Sequence, residues 1–361
     1  MNEWIINENY LFIYKINKPI NYDKIYIFDL DHTIIKPKSG KIFPTNEFDW
    51  EFLNEKIKAR INELSINFDI GIITNQMGLK NKNLINKWII KMNNIMKQIK
   101  INFIFVSLKN DRYRKPIIGS LEILKLYGFD LEKYKLKYFI GDACGRKNDY
   151  TDTDLKFALN SSLLKFKTPE KFFEKKKDLN MSITYPILNY YTNNDYNKII
   201  NDIFKIINNH SKIIIMMIGF PACGKSYLRN LILNKFNDIY YYNNDDLKDK
   251  INNNKLCNLI NCINKEKIIN DNTNMSLDNR NSFFDRFKDY NKIGIFFNYD
   301  LDIAMHLNYN RMYNFNKPLI NKIIYNKLNK NFDLPNKKEF DKLIYIDNIF
   351  PIFKSNIKYF F

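Results

Sequence analysis

Six consecutive apolar residues, Ile213–Ile218, run directly into Gly219-Phe220-Pro221-Ala222-Cys223-Gly224-Lys225-Ser226, and this junction restricts the fold more than any other string in the chain. An apolar run of that length with no polar alternation reads as a strand buried on both faces. The glycines permit a tight loop whose backbone N–H groups converge, and Lys-Ser opens a helix whose first turn carries partial positive charge. G-x-x-x-x-G-K-S between a strand and a helix cradles the phosphates of a nucleoside triphosphate. Lys225 offsets charge on the β- and γ-phosphate oxygens, and Ser226 ligates Mg²⁺. All eight residues, Gly219, Phe220, Pro221, Ala222, Cys223, Gly224, Lys225 and Ser226, are therefore expected at an ATP or GTP site. Cys223 reads as a small loop filler, because no base accompanies it.

Further apolar runs at 239–242, 267–269, 293–297 and 343–346 follow this junction, separated by longer helix-like segments. The same rhythm precedes it, with runs at 25–28, 68–73, 101–106 and 137–140. Such alternation predicts a parallel sheet with crossover helices. Its occurrence twice predicts an α/β chain of two parallel-sheet domains, as does a length of 361 residues, more than one core usually fills. The interval 174–194, with a lysine run at 175–177 and Pro186, marks the break. The expected division is a first domain over 1–178, a linker over 179–194 and a second domain over 195–361. Apolar residues at 199, 200, 203, 204, 206 and 207 predict an amphipathic helix at the start of the second domain.

Lys and Arg number 57 against 39 Asp and Glu, a formal charge of +18. That field attracts polyanions and speeds their encounter, which makes nucleic acid the natural partner. An AT-rich genome would also enrich Lys, Asn, Ile and Tyr, so charge supports this partner without identifying it. A hydrophobic fraction of 45% is ample for packed cores. Cys144, Cys223, Cys257 and Cys262 show no C-x-x-C spacing, which favours reduced thiols over a zinc knuckle or a disulfide framework. No apolar stretch approaches the roughly 20 residues of a membrane span. The expectation is a soluble, intracellular, monomeric protein with no membrane partner; a nuclear role and a cytoplasmic one, including a viral replication site, fit equally.

In the first domain, Ile25-Tyr-Ile-Phe-Asp29-Leu-Asp31-His-Thr33 is an apolar strand ending in two carboxylates. Ligands of open α/β sheets bind outside the carboxyl ends of strands. One carboxylate there can attack phosphorus while the other moves a proton. As a bare string D-x-D-x-T is also a plain loop, and its companions decide. Thr74, closing Ile72-Ile-Thr74-Asn75-Gln76, offers a hydroxyl to a phosphoryl oxygen. Tyr113-Arg114-Lys115-Pro116 supplies a fixed cation after the third strand, and Phe139-Ile-Gly141-Asp142 ends the fourth with an acid able to hold Mg²⁺ beside Asp29. The basic runs 56–60, 109–115 and 165–177 are more often solvated faces than binding paths.

These four strand ends, in this order, resemble those of the haloacid-dehalogenase-type phosphatases. Within that class the domain is similar to the phosphatase half of the polynucleotide kinase 3'-phosphatases, through Ser39-Gly-Lys-Ile-Phe-Pro-Thr45, Thr74-Asn-Gln-Met-Gly78, Tyr113-Arg-Lys-Pro116, Gly141-Asp-Ala-Cys-Gly-Arg146, Phe157-Ala-Leu-Asn160 and Thr168-Pro-Glu-Lys-Phe-Phe173. The resemblance implies a haloacid-dehalogenase-like Rossmannoid domain. It implies that Asp29 forms an aspartyl-phosphate and that Asp31 protonates the leaving alkoxide and then activates water. Thr74, Asn75 and Lys115 would hold the phosphate, Mg²⁺ would lie on Asp29, Asp31 and Asp142, and Arg114 would contact a DNA phosphate near the 3' end. Asp149 and Asp154 match acids of the family's next segment, either as helix caps or as support behind the metal. His32 stands where the family usually has Gly, which implies a narrower entrance.

In the second domain, Ile239-Tyr-Tyr-Tyr-Asn-Asn244-Asp245-Asp246 ends the next strand in two acids, and Asp271-Asn272-Thr273-Asn274 closes the third with a polar cluster dense for an ordinary turn. A carboxylate near the loop can take the proton of an attacking hydroxyl, although Asn-Asn-Asp-Asp reads equally well as a helix cap. Together these strings are similar to the kinase half of the same family. The resemblance implies a P-loop kinase domain in which Asp245 is the base for a 5'-hydroxyl and Arg311 clamps ATP phosphates. It also places Asn274 and Arg280 on DNA. Asn244 departs from the family, whose members commonly carry Arg there, and Tyr309 stands where another lid cation is usual. The implied function is end healing: removal of a 3'-phosphate and ATP-dependent phosphorylation of a 5'-hydroxyl. Phosphatase before kinase is the order of the animal-type enzymes, which favours DNA ends and DNA repair; RNA end healing by the same chemistry is the alternative. A forkhead-associated module has no room before residue 24, so docking to phosphorylated scaffolds is not expected. A decayed scaffold would have lost its charged positions, and these are retained.

Overall fold

The computed structural model describes residues 4–15, 22–177, 180–183, 196–244, 257–347 and 359. The chain divides into two compact units, each built on its own sheet. The strands of the first are β1 (Ile5–Ile6), β2 (Tyr10–Tyr14), β3 (Lys24–Phe28), β4 (Ile35–Lys36), β5 (Glu51–Phe52), β6 (Asp69–Asn75), β7 (Phe103–Ser107), β8 (Leu136–Ile140) and β9 (Lys165–Lys167). β4 and β5 pair as a separate antiparallel ribbon. The other seven form one sheet in the order β1-β2-β7-β6-β3-β8-β9. From β7 to β9 all pairings are parallel, whereas β2 runs antiparallel to β7 and β1 antiparallel to β2.

The runs expected at 25–28, 68–73, 101–106 and 137–140 are β3, β6, β7 and β8. Their apolar residues part by the two-residue period of a strand. Tyr26, Phe28, Ile104 and Val106 enter one core with Ile57, Ile61, Trp88 and Met92 of the helices Lys56–Asn67 and Lys82–Met96. Ile25, Ile27, Phe103 and Phe105 enter the other with Leu124 and Phe157 of Gly119–Leu126 and Thr153–Ser161. Each fully buried side chain of this size contributes roughly 1.5–3 kcal/mol, which fixes the helices to both faces. β2 was not foreseen, because its Tyr-Leu-Phe-Ile-Tyr run precedes the alternating pattern and adds an antiparallel edge.

The second unit holds β10 (Ile213–Ile218), β11 (Ile239–Tyr242), β12 (Lys267–Asn270), β13 (Asn291–Asn298) and β14 (Lys342–Asp347). They form an all-parallel sheet in the order β11-β12-β10-β13-β14. The five expected runs are these five strands. Ile213, Ile215 and Met217 face the helices Tyr196–Asn208 and Lys225–Lys235, while Ile214, Met216 and Ile218 face Phe283, Phe284 and Phe340. The amphipathic helix expected near 199–207 is Tyr196–Asn208, with Ile200, Ile203, Ile206 and Ile207 buried.

β3 and β10 occupy equivalent places. Later strands add first to one side of each and then to the other, so a crevice opens at its carboxyl end. Both motifs lie there. Most of the interval 179–194 is outside the described residues. The expectation of four reduced thiols needs correction: Cys257 and Cys262 are disulfide-bonded, with Cα atoms 5.8 Å apart, while Cys144 and Cys223 are free and buried. A turn entering the helix Leu259–Cys262 brings the pair within bonding reach, at a spacing that matches no short cysteine motif. Among the described residues, no helix is long and apolar enough to cross a membrane.

Candidate active sites

Pairing of Phe28 with Ile140 sets β3 and β8 in register, and the Asp29 N–H donates to the Ile140 carbonyl at 2.8 Å. Asp29 and Asp142 are thereby carried past the ends of neighbouring strands. Asp154, in the first turn of Thr153–Ser161, completes a cluster: one carboxylate oxygen of each of Asp29, Asp142 and Asp154 lies within 4.8 Å of the other two. Gly141 makes the approach possible, since a Cβ there would stand 2.3 Å from Asp154 Oδ2. Thr33, fully buried, donates to Asp142 Oδ1 at 3.1 Å.

Lys115 enters this cluster with 2% of its side chain exposed, its Nζ 2.6 Å from Asp29 Oδ1 and 2.7 Å from Asp154 Oδ1. Burial alone would lower its pKa, but Asp154 and Asp29 outweigh burial and raise it. Burial, helped by Asp154, pushes Asp142 up to about 6. Burial also holds Asp29 well above the usual carboxylate range, with Asp154 and Asp142 adding to the rise against Lys115. One ammonium thus faces three carboxylates, and the excess negative charge invites a proton or a divalent cation. Oxygen-only donors of this kind fit Mg²⁺.

Asp31 stands apart from the three. Its carboxylate accepts from Gln76 Nε2 at 2.6 Å and lies 4.0 Å from the buried Lys91 ammonium. Gln76 Nε2 also reaches Thr74 Oγ1, at 3.0 Å, so it ties the hydroxyl at the end of β6 to Asp31. Asn75 differs from its expected place on a phosphate. Its side chain accepts from Lys115 N and donates to Lys115 O, both at 3.0 Å, which clamps the backbone that presents the lysine. Asp149 likewise closes a loop, accepting from Cys144 N and from Arg146, whose guanidinium donates to the Asp142 carbonyl. Arg114 is half-buried in the turn before Lys115. His32 is exposed at φ 57°, the left-handed conformation that favours glycine, and this accounts for the usual residue there.

At the end of β10, the helix Lys225–Lys235 is capped by Gly224 at φ 99°, which lets the loop 219–224 turn its amides toward one point. Lys225 is 8% exposed and bends back so that Nζ donates to the carbonyls of Gly219, at 2.9 Å, and Phe220, at 2.5 Å. Ser226 donates to Asp271 Oδ2 at 3.0 Å. The same oxygen accepts from Arg229 at 2.8 Å. Burial raises the Asp271 pKa, opposed by Arg229 and Lys225. The sequence drew attention to the string 271–274 but gave neither Asp271 nor Arg229 a role. Two signals were available: Asp271 directly follows the strand beside β10, and Arg229 sits three residues after Ser226, on the same helix face.

Two expected nucleic-acid contacts need correction on physical grounds. Arg280 is wholly buried, paired with Glu339 at 2.7 and 3.2 Å, and donates to the carbonyls of Asn274, Met275 and Asp333. Asn274 is 6% exposed and donates to the Met217 carbonyl at 2.7 Å. Both fasten the loop after β12 to its surroundings instead of facing a ligand. Removing one member of a buried pair strands the other charge, so Arg280→Ala is expected to cost about 3–5 kcal/mol of stability. Denaturant unfolding reads this directly; unchanged stability with weakened DNA binding would return Arg280 to the DNA. Arg311 is half-buried and donates to the Pro318 carbonyl at 2.8 Å. Its charge is felt by Tyr325, whose hydroxyl donates to the Pro221 carbonyl of the loop at 3.0 Å. Asp245 lies outside the described residues.

A protein of Acanthamoeba polyphaga mimivirus, provisionally named a bifunctional polynucleotide phosphatase/kinase, is 31% identical over 94% of this chain and 89% of its own length. The chain belongs to this family. The family also includes a bifunctional polynucleotide phosphatase/kinase of Schizosaccharomyces pombe, 28% identical over 93% of this chain and 82% of its own length. The family model described as polynucleotide kinase 3 phosphatase matches residues 24–173, the stretch that carries β3 to β9. A polynucleotide 3'-phosphatase of Saccharomyces cerevisiae, 31% identical, matches 44% of this chain and 92% of its own length.

Proposed function

We propose that this member of the bifunctional polynucleotide phosphatase/kinase family heals DNA ends, removing 3'-phosphates in a domain spanning 1–178 and phosphorylating 5'-hydroxyls from ATP in a domain spanning 195–361. The observation that carries the reading is the buried Lys115 ammonium bridging Asp29 and Asp154 beside Asp142, at the crevice of the first sheet.

In the phosphatase, an Asp29 carboxylate oxygen attacks phosphorus, the bond from phosphorus to the 3'-oxygen breaks, and Asp31 gives that oxygen a proton. Asp31 then takes a proton from the water that attacks the aspartyl-phosphate, and phosphate leaves as Asp29 is restored. Gln76, bonded to both Asp31 and Thr74, holds the acid and the phosphate-facing hydroxyl in one frame. Lys115 offsets charge on the transferring group, and Arg114 receives the adjoining DNA phosphate. Asp29 and Asp142 would hold Mg²⁺, which would supply further charge offset, while Asp31, expected as a further ligand, is turned to Gln76 and Lys91.

In the kinase, Asp245 takes the proton of the 5'-hydroxyl, whose oxygen attacks the γ-phosphorus of ATP as ADP leaves. Lys225 exchanges its two loop carbonyls for phosphate oxygens, Ser226 would hold Mg²⁺, and Arg311 approaches the phosphates from the helix Leu301–Phe315. Asn244, exposed and bonded to Tyr242, offers no charge to the acceptor strand. Asn244→Arg is therefore expected to raise the use of 5'-hydroxyl ends at moderate salt and to steepen its salt dependence. No gain in a salt series would show that the acceptor phosphate is held elsewhere.

The test of the whole reading is one panel of matched DNA and RNA oligonucleotides carrying 3'-phosphate or 5'-hydroxyl ends. Release of phosphate and ATP-dependent labelling, both stronger on DNA, are expected. A clear preference for RNA would overturn the substrate, and activity on neither end would overturn the function.

A further inference from the structure

A cavity of about 560 Å³ opens beside the phosphatase site, at the carboxyl ends of β6 and β7 and against the turn between β1 and β2. That volume falls among those of small-molecule sites, roughly 300–1,000 Å³. Its apolar wall is Met77, Leu79, Ile85 and Leu108. Lys80 and Lys109 stand exposed at its edge, and Glu8 is offset by Lys109 at 3.5 Å. Ile6 and Met77 are 61% and 51% exposed, an apolar surface with no use in the catalytic chemistry.

The cavity wall is joined to that chemistry through the chain. Gln76, which holds Asp31, is followed directly by Met77, and the Leu79 N–H donates to the Gln76 carbonyl. The segment 76–80 therefore has the hydrogen-bond donor to the catalytic acid at one end and the cavity wall at the other. Resting on the proposed 3'-phosphatase reading, we propose that this cavity takes an unpaired base of the strand that leads to the 3'-phosphate, with Lys80 and Lys109 on the phosphates flanking it. An apolar wall with cations at its rim matches a nucleotide, whose base has an apolar face and whose backbone is anionic. A peptide or lipid would have no reason to lie against the loop whose Gln76 holds the acid/base.

Placement of a base here makes affinity depend on chain length, and the test is KM against length for 3'-phosphorylated oligothymidylates. For the wild-type full chain, KM should fall as nucleotides are added and then level off. Met77→Glu/Lys80→Glu, which touches no catalytic group, should leave kcat and KM unchanged on the shortest oligonucleotide turned over and raise KM about tenfold on the longest. An abasic residue at one internal position should reproduce that rise in the wild type and add nothing in the variant. Ile6→Glu, at an exposed position, repeats the measurement should the double variant fail to fold. Equal KM at every length, or an equal loss at every length, overturns the proposal. Failure of the wild type to release phosphate from any oligonucleotide would instead overturn the phosphatase reading.

Discussion

Asp29→Asn should lower phosphate release from a 3'-phosphorylated oligonucleotide by roughly 10⁴-fold or more while leaving 5'-phosphorylation at its wild-type rate. An amide has no anionic oxygen to form the bond to phosphorus, and no neighbour is placed to substitute. Asp142 is bonded to Thr33, Asp154 to Lys115, and Asp31 is turned toward Gln76 and Lys91. The fold should tolerate the change, because it removes one of three crowded carboxylates and leaves Lys115 its bond to Asp154 at 2.7 Å. Thermal unfolding and the kinase rate, measured on the same preparation, separate a lost nucleophile from a damaged domain. Turnover within a factor of about ten of wild type would exclude Asp29 as the nucleophile, since loss of a covalent partner costs far more than loss of one orienting bond.

What could be read from the sequence followed chemistry that is local in the chain. The strands β3, β6, β7, β8 and β10 to β14 were legible because buried parallel strands are short apolar runs. Asp29, Thr74 and Asp142 were legible because each lies at or just past the end of such a run, and Lys115 because its Tyr-Arg-Lys-Pro string sits in the loop after the third. β2 was not, since an antiparallel strand ahead of the alternating pattern leaves no mark on it. The partnerships that build the sites were hidden for a different reason. Lys115 to Asp154 spans 39 residues, Ser226 to Asp271 spans 45, and neither spacing has a period. Arg280 shows the converse error. A cation in a recognised segment reads as a phosphate contact, yet Glu339, 59 residues away, neutralises it inside the unit. Sequence shows a charge, and only the fold shows whether that charge is already matched.

Lys225→Ala should give the reciprocal pattern, a fall on the order of 10²–10³-fold in ATP-dependent phosphorylation with phosphatase turnover intact. The lysine does two things that alanine cannot. In this structure it draws the Gly219 and Phe220 carbonyls toward one ammonium and so sets the curve of the loop. With ATP in the cradle it offsets charge that builds on the transferring phosphate. Lys225→Arg separates the two, because guanidinium keeps the charge but is too broad to bend back onto both carbonyls. Phosphorylation restored by arginine would place the effect in charge alone; phosphorylation as low as in the alanine variant would place it in the loop's shape. Should Lys225→Ala phosphorylate 5'-ends at the wild-type rate, the phosphoryl donor does not sit on this loop, and Ser226 loses its proposed part in the reaction with it.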